Sequence, residues 1–208
     1  MSSEQIRYNG RVAIVTGDGA GFGCEYALLL AEREAKVFVN DSGGTNSNES
    51  ASTRAANFVV NEIKLTGEIA VADHNSMVDR AKIVETAIKN FGCVDIAINN
   101  AGISRDRSIP KISERDWDFV HHVRLKGTFK DTLAAWLHMK KQNYGRIFIT
   151  SSDSGMYGNF GQASCSAPKM VLIRSVNTVA IEEEKYNIHC NVIIHPAANR
   201  LTQDILII

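Results

Sequence analysis

Residues 11–34 read RVAIVTGDGAGFGCEYALLLAERE, and the order of their parts decides the fold. A short β-branched apolar run comes first, a glycine-rich turn follows at residues 16–23, and a segment with helical spacing completes the stretch. Gly17, Gly21 and Gly23 permit a tight turn, close approach of a pyrophosphate and close packing of helix on strand. The start of the helix beyond them offers unpaired N–H groups to an anion. A glycine cluster alone says little. Strand, turn, helix and second strand in that order point to a nucleotide site.

The same alternation runs through the rest of the chain. Short apolar runs recur as RVAIV, KVFVN, EIAVAD, CVDIAIN, RIFIT and HCNVII, nearly continuous rather than alternating, as expected of strands covered on both faces. Between them lie helically spaced segments such as GCEYALLLAERE and VDRAKIVETAIKNFG. Strand alternating with helix predicts a parallel sheet with right-handed crossovers: a doubly wound, Rossmann-type α/β fold of six strands. No linker or internal repeat divides the chain, so a single domain over residues 1–208 is expected. The polar insert DSGGTNSNESAST at residues 41–53 reads as a surface loop.

Composition excludes several classes of function. Lys+Arg and Asp+Glu both total 23, so no basic field attracts nucleic acid or anionic lipid. No apolar run approaches the roughly 20 residues of a membrane span. The N-terminus MSSEQIRYNG lacks the apolar core of a secretory signal. Cys24, Cys93, Cys165 and Cys190 lie far apart with no C-x-x-C pair, which reads as free thiols in a reducing compartment and supports no metal site.

Asp41 ends the second predicted strand. A carboxylate there can accept bonds from both hydroxyls of an adenosine ribose and would repel a 2′-phosphate, favouring NAD over NADP. A helix cap or loop aspartate is the other reading.

The spacing T-G-x-x-x-G-x-G at residues 16–23, then NNAG at residues 99–102, then Ser152 and Lys169, resembles the short-chain dehydrogenase/reductase family. Within it, VNDSGG (39–44), NNAGISRDRS (99–108), AAWLHMKKQNYGRI (134–147), YGNFGQA (157–163) and KYNIHCNVI (185–193) are most similar to the (3R)-hydroxyacyl-CoA dehydrogenase domains of peroxisomal multifunctional enzymes type 2. The resemblance runs from Arg11 to Gln203. It implies that Gly17, Gly21, Phe22 and Gly23 hold the dinucleotide, and that Asn99, Ala101 and Gly102 line its cleft. Asp73 to Asn75 would sit near the adenine, with Asn75 standing where the family commonly has aspartate. Pro196 and Thr202 would flank the nicotinamide. Ser152 would polarise the substrate carbonyl. Lys169 would bind the nicotinamide ribose and lower the pKa of a catalytic tyrosine. The implied chemistry is hydride transfer between the nicotinamide and a carbonyl carbon, with NAD carrying the hydride.

The tyrosine is where this chain departs from the family. Counting back four residues from Lys169 lands on Cys165, on the same helical face. Pro168 intervenes, within what is expected to be a tolerant first turn. A thiol stops roughly 3–4 Å short of a phenol oxygen by standard bond lengths. General acid–base catalysis needs heavy atoms within about 3.2 Å or one bridging water, and its loss costs ~10²–10⁴ in rate. Lys169 is further expected to bias Cys165 toward thiolate, which cannot donate a proton. Tyr157 has the wrong spacing to Lys169 to substitute.

Other departures accompany it. Arg124 stands where many members place an asparagine that holds a relay water, although the multifunctional enzymes often have histidine. Asp18 puts a carboxylate into the phosphate turn, either capping the glycines or weakening cofactor affinity. Family domains continue past LTQ into a lid, a seventh strand and an assembly surface. Here the lid and seventh strand are expected to be missing, leaving the sixth strand as a sheet edge that invites pairing with another chain. His121 and His122 read as helix-surface or core-edge residues, Trp117 and Trp136 as packing residues, and EEEK (182–185) as a solvated helix end.

Two functional expectations follow. The first is a degenerate dehydrogenase that keeps the fold, and with it a nucleotide site, but has lost turnover; it would act as a structural or binding partner, as a homo-oligomer or within a larger assembly. The second is an active NAD-dependent 3-hydroxyacyl-CoA or related secondary-alcohol oxidoreductase of fatty acid β-oxidation, taking its proton from water or Cys165. Acyl-CoA or another hydroxy or keto compound is the implied substrate. The expected location is intracellular and soluble. The resemblance points to a peroxisomal or other organelle matrix, the C-terminus does not end in S-K-L, and the cytoplasm stays open.

Overall fold

The structure is a computed structural model that describes residues 6–17, 21–41, 54–75 and 80–195. Six strands form one parallel sheet: β1 (Val12–Thr16), β2 (Lys36–Asn40), β3 (Ala70–Asp73), β4 (Ile96–Asn99), β5 (Gly145–Thr150) and β6 (Ile188–Ile193), in the order β3-β2-β1-β4-β5-β6. The chain starts in the middle, winds out to β3, returns, and winds out the other way. Strand order therefore reverses between β1 and β4, the switch point at whose carboxyl ends doubly wound folds place their ligand crevice. All six strands fall within the apolar runs or one residue beyond them. The insert at residues 42–53, like Asp18, Pro196 and Thr202, lies outside the described residues.

The helices are α1 (Phe22–Glu32), α2 (Arg54–Leu65), α3 (Arg80–Phe91), α4 (Glu114–His121), α5 (Thr128–Gln142), α6 (Asp153–Tyr157) and α7 (Ala163–Glu183), with a π-helical stretch His122–Gly127 joining α4 to α5. Alternate strand residues serve opposite faces. Ala13, Val15, Val37 and Val39 pack under Ala27 and Leu30 of α1 and Val59 and Ile63 of α2. Ile14, Phe38, Ala97 and Ile147 pack under Ile83 of α3, Met139 of α5 and Leu172 of α7. This double coverage explains the unbroken apolar runs of β1 and β2, whose residues are almost all buried. Strand β6 departs from it: Ile188 and Cys190 are buried while His189 and Asn191 between them are exposed, so this edge strand is covered on one face among the described residues.

Two local features shape the crevice. Helix α7 begins at Ala163, so Pro168 lies beyond its first turn instead of within it as expected. The helix runs through the proline without the N–H that would bond back to the residue 164 carbonyl. Gly155 of α6 packs on α7 so closely that a Cβ there would fall 2.8 Å from Lys169 Cβ, which brings the two helices together at that lysine.

Candidate functional site

The phosphate end of the crevice is built by short bonds between β1 and β4. Gly17 has φ +67°, and a Cβ on it would meet Ala101 Cα at 2.6 Å, so only glycine allows the two turns to touch. Thr16 Oγ1 donates to the Ile98 carbonyl at 3.4 Å and accepts from the Ala101 N–H at 3.2 Å. The Asn100 amide donates to the carbonyls of Thr16 (3.2 Å) and Gly17 (3.0 Å). Asn99 is buried and donates to Thr132 Oγ1 at 3.1 Å. Gly21 caps α1 at φ 67° with no side-chain cap bond, and a Cβ there would meet open space. Among the described residues no side chain caps the first turn of α1, an arrangement that fits a pyrophosphate. Phe22 opens this helix and Gly23 is buried within it.

The adenosine end is held by amide–carboxylate contacts. Asn40 donates to Asp73 Oδ2 at 2.7 Å and to the Asn75 carbonyl at 3.1 Å. Asn75 Nδ2 donates to Asp73 Oδ1 at 2.6 Å, which turns the Asn75 amide oxygen away from that carboxylate as the acceptor end. Burial pushes the Asp73 carboxyl above its ordinary range, against the pull of the Asn40 and Asn75 bonds. The Asp41 N–H donates to the Asp73 carbonyl at 3.2 Å, fixing Asp41 at the mouth of β2. These residues fit the ribose and adenine of a dinucleotide.

The opposite end differs from the expectation. Cys165 is 4% exposed, with its sulfur 3.1 Å from Asp106 Oδ1 and 3.2 Å from Ser104 Oγ. Ser104 also bonds to Asp106, and Gln162 Nε2 donates to Asp106 Oδ2 at 2.9 Å. The expected thiolate is therefore corrected. Burial, foremost, raises the Cys165 pKa; Asp106 raises it further and Arg124 lowers it, so the group stays a thiol. Lys169 is itself pushed well below the ordinary lysine range by burial, with Arg124 adding to the effect and Cys165 opposing it. Its Nζ donates to the Thr150 carbonyl. Ser152 caps α6: its Oγ donates to Asp153 Oδ1 at 2.9 Å and accepts from the Ser154 N–H at 3.3 Å. Ser152 and Lys169 are each bonded locally and not to the Cys165 sulfur. Tyr157 is 86% exposed.

Three groups of the crevice carry no signal that the sequence reading used. Asp106 lies in the family-like string NNAGISRDRS, but its bond to Cys165 spans 59 residues and has no local signal. Asn100 was overlooked beside Asn99 although it makes the clamp. His195 follows β6 and packs on Phe22 with ring centroids 4.2 Å apart and the planes tilted by 42°, its Nδ1 buried and without a hydrogen-bond partner among the described residues. Burial and then Lys169 lower its pKa, while Asp153 opposes. His121 and Trp117 form a stacked pair at 4.4 Å, and Trp136 of α5 packs partly buried against the core, consistent with structural roles.

Comparison with known proteins places this geometry. Residues 11–203 match the family described as short chain dehydrogenase. Peroxisomal multifunctional enzyme type 2 of Drosophila melanogaster is 62% identical over 205 residues, covering 99% of this chain and 34% of that protein. The solved full-length Drosophila structure superposes with a TM-score of 0.77 at 53% identity, over 93% of this chain and 32% of that one. A short chain dehydrogenase from Mycobacterium avium superposes with a TM-score of 0.84 at 39% identity, over 93% of this chain and 70% of that one. The chain thus spans about a third of the length of the multifunctional enzyme it matches.

Proposed function

This chain belongs to the short chain dehydrogenase family, and from that premise we propose that it is a dinucleotide-binding domain of the (3R)-3-hydroxyacyl-CoA dehydrogenase kind that has lost rapid turnover. NAD, when bound, supplies the hydride acceptor. The Gly17–Gly23 turn, Asp41, Asn75, Asn99, Ala101 and Gly102 would hold it, with Pro196 and Thr202 beside its nicotinamide. Lys169 would reach its ribose only by leaving the Thr150 carbonyl.

One observation carries the loss of turnover. The Cys165 thiol, standing where the family has a phenol, is buried and bonded to Ser104 and Asp106. It is too short to reach an alkoxide and is already donating to a carboxylate. Lys169 cannot sharpen it as an acid, because the ammonium form of that lysine is itself disfavoured. Proton transfer then falls to water, at ~10²–10⁴ in rate. A structural or binding role, as a homo-oligomer or within a larger assembly, fits a domain that keeps its nucleotide crevice. The peroxisomal relatives support the same compartment, and the resemblance read in the sequence supports an acyl-CoA partner.

The test has two readouts. NAD at a hundredfold excess over Kd should stabilise the fold by about 2.7 kcal/mol, a melting shift of roughly 5–11 °C for a domain of this size. Oxidation of a (3R)-3-hydroxyacyl-CoA, followed as NADH absorbance, should stay within a few-fold of background and rise on Cys165→Tyr. Turnover in the ordinary range of 1–10³ s⁻¹ by the unaltered chain would overturn the reading.

A further inference from the structure

Asp73 closes β3, and three donors converge on its carboxyl group. Asn40 Nδ2 and the Asn75 N–H reach Oδ2 at 2.7 and 3.3 Å, and Asn75 Nδ2 reaches Oδ1 at 2.6 Å. An ionised carboxyl accepts at both oxygens and donates at neither, which is the form these three bonds require. Asn40 is fully buried, and its amide nitrogen also donates to the Asn75 carbonyl at 3.1 Å. Residue 75 is therefore held through its main chain as well as its side chain.

The polarity of the Asn75 amide follows from these partners. Its nitrogen donates to Asp73 Oδ1 and, more weakly, to Thr86 Oγ1 of α3 at 3.4 Å. Thr86 directs its own hydrogen at the Lys82 carbonyl at 2.7 Å, so toward Asn75 it can only accept. Both neighbours of the amide nitrogen are thus acceptors. Turning the amide over would set its oxygen against a carboxylate oxygen, losing a charge-assisted bond and adding a repulsion. The two amide hydrogens are committed to the protein, and Oδ1 is the end left for a ligand.

We propose that Asp73, helped by Thr86, is a positioning residue that fixes Asn75 as an acceptor and so restricts the crevice to nucleotides with a 6-amino purine; this selection rests on the crevice being the nucleotide site proposed above. The amino group at C6 of adenine donates, whereas guanine and hypoxanthine carry an oxygen there. That oxygen would face Asn75 Oδ1 with no hydrogen between them. A free amide could turn to serve either base. This one is held by groups that cannot donate to it, and Asp73, 5% exposed, has little water to replace those bonds.

Calorimetric titration of the full chain with NAD and with nicotinamide hypoxanthine dinucleotide tests the assignment. The unaltered chain should bind NAD roughly 3- to 10-fold more tightly, the worth of one neutral hydrogen bond. In Asp73→Asn the new amide keeps its oxygen toward Asn40 Nδ2 and the Asn75 N–H, which places its NH₂ against Asn75. Asn75 then turns its oxygen inward and its nitrogen toward the base. The preference for NAD should vanish or reverse, whereas loss of a merely structural group would weaken both dinucleotides alike. Asn75→Ala should abolish the preference without reversing it, and it decides if Asp73→Asn fails to fold by circular dichroism or fails to bind. Equal binding by the unaltered chain, tighter binding of the hypoxanthine dinucleotide, an unchanged preference in folded Asp73→Asn, or a preference kept by Asn75→Ala would each overturn the proposal and leave the nucleotide site standing. Binding of neither dinucleotide by the unaltered chain would overturn the nucleotide site itself, and the selection of base with it.

Discussion

Lys169→Met should flatten the pH dependence of stability, and the structure dictates the sign. The Lys169 side chain is buried, and its pKa is driven well below the ordinary lysine value of 10.5 by desolvation, then by Arg124. Between that lowered folded value and the unfolded value of about 10.4, the unfolded chain binds the extra proton, so stability rises with pH across this window. Below the window both states are charged and the full penalty of burying the ammonium stands. Above it both are neutral. One proton can give a slope of at most about 1.4 kcal/mol per pH unit, or roughly 3–6 °C per unit for a domain of this size. Methionine keeps the aliphatic stem against Gly155 but cannot titrate. It also strips the Thr150 carbonyl of its donor, a loss of about 1–3 kcal/mol that does not vary with pH. The thiols of Cys165 and of Cys190, whose pKa is pushed up to about 12, act in the opposite sense but are common to both proteins. Lys169 also lowers the pKa of His195, so the slope difference isolates the lysine above about pH 7.5, where a histidine of unfolded pKa about 6.5 no longer titrates. Melting temperatures of both proteins, measured without ligand between about pH 6 and pH 10, give that difference directly. Parallel curves across the whole range would refute the claim that Lys169 is a desolvated amine.

Gly17→Ala should destabilise the fold by roughly 2–5 kcal/mol, about 1–2 from a side chain forced to positive φ and 1–3 from overpacking against the Ala101 backbone; urea unfolding with a change under about 0.5 kcal/mol would disprove the contact. Asp95 accepts from the buried Val12 N–H at 2.9 Å and from Arg11 Nη1 at 2.8 Å. Arg11 is 41% exposed, so its ion pair counts for little, and Asp95→Ala should cost about 1–3 kcal/mol, mainly for the orphaned N–H. Asp95→Asn can still accept and should recover part of that loss in the same measurement.

Six strands and their parallel arrangement could be read from the letters because each depends on neighbours in sequence. A strand covered on both faces must be apolar along its length, and a turn at positive φ needs glycine. The site was legible in part. Residue types at family spacing marked Gly17, Asp41, Ala101, Ser152, Cys165 and Lys169 as candidates, and the structure sets Gly17 against Ala101 and Cys165 close to Asp106 and Arg124. The expected thiolate holds only for a helical pair in water. Lysine four residues from cysteine suggests a thiolate, yet burial outweighs that attraction and the thiol stays protonated. The length of α7 was also misjudged, since its start at Ala163 depends on packing that local proline rules do not see.

The chain's own order of residues determined that this protein is a doubly wound α/β domain and that a thiol replaces a phenol, because periodicity and side-chain length are properties of local covalent structure. Only the tertiary structure decided what surrounds that thiol: Asp106 and Ser104 from one loop and Arg124 from a π-helical turn. Their charges interact strongly because folding removes the water between segments distant in sequence, and no spacing along the chain reveals how completely that water is removed.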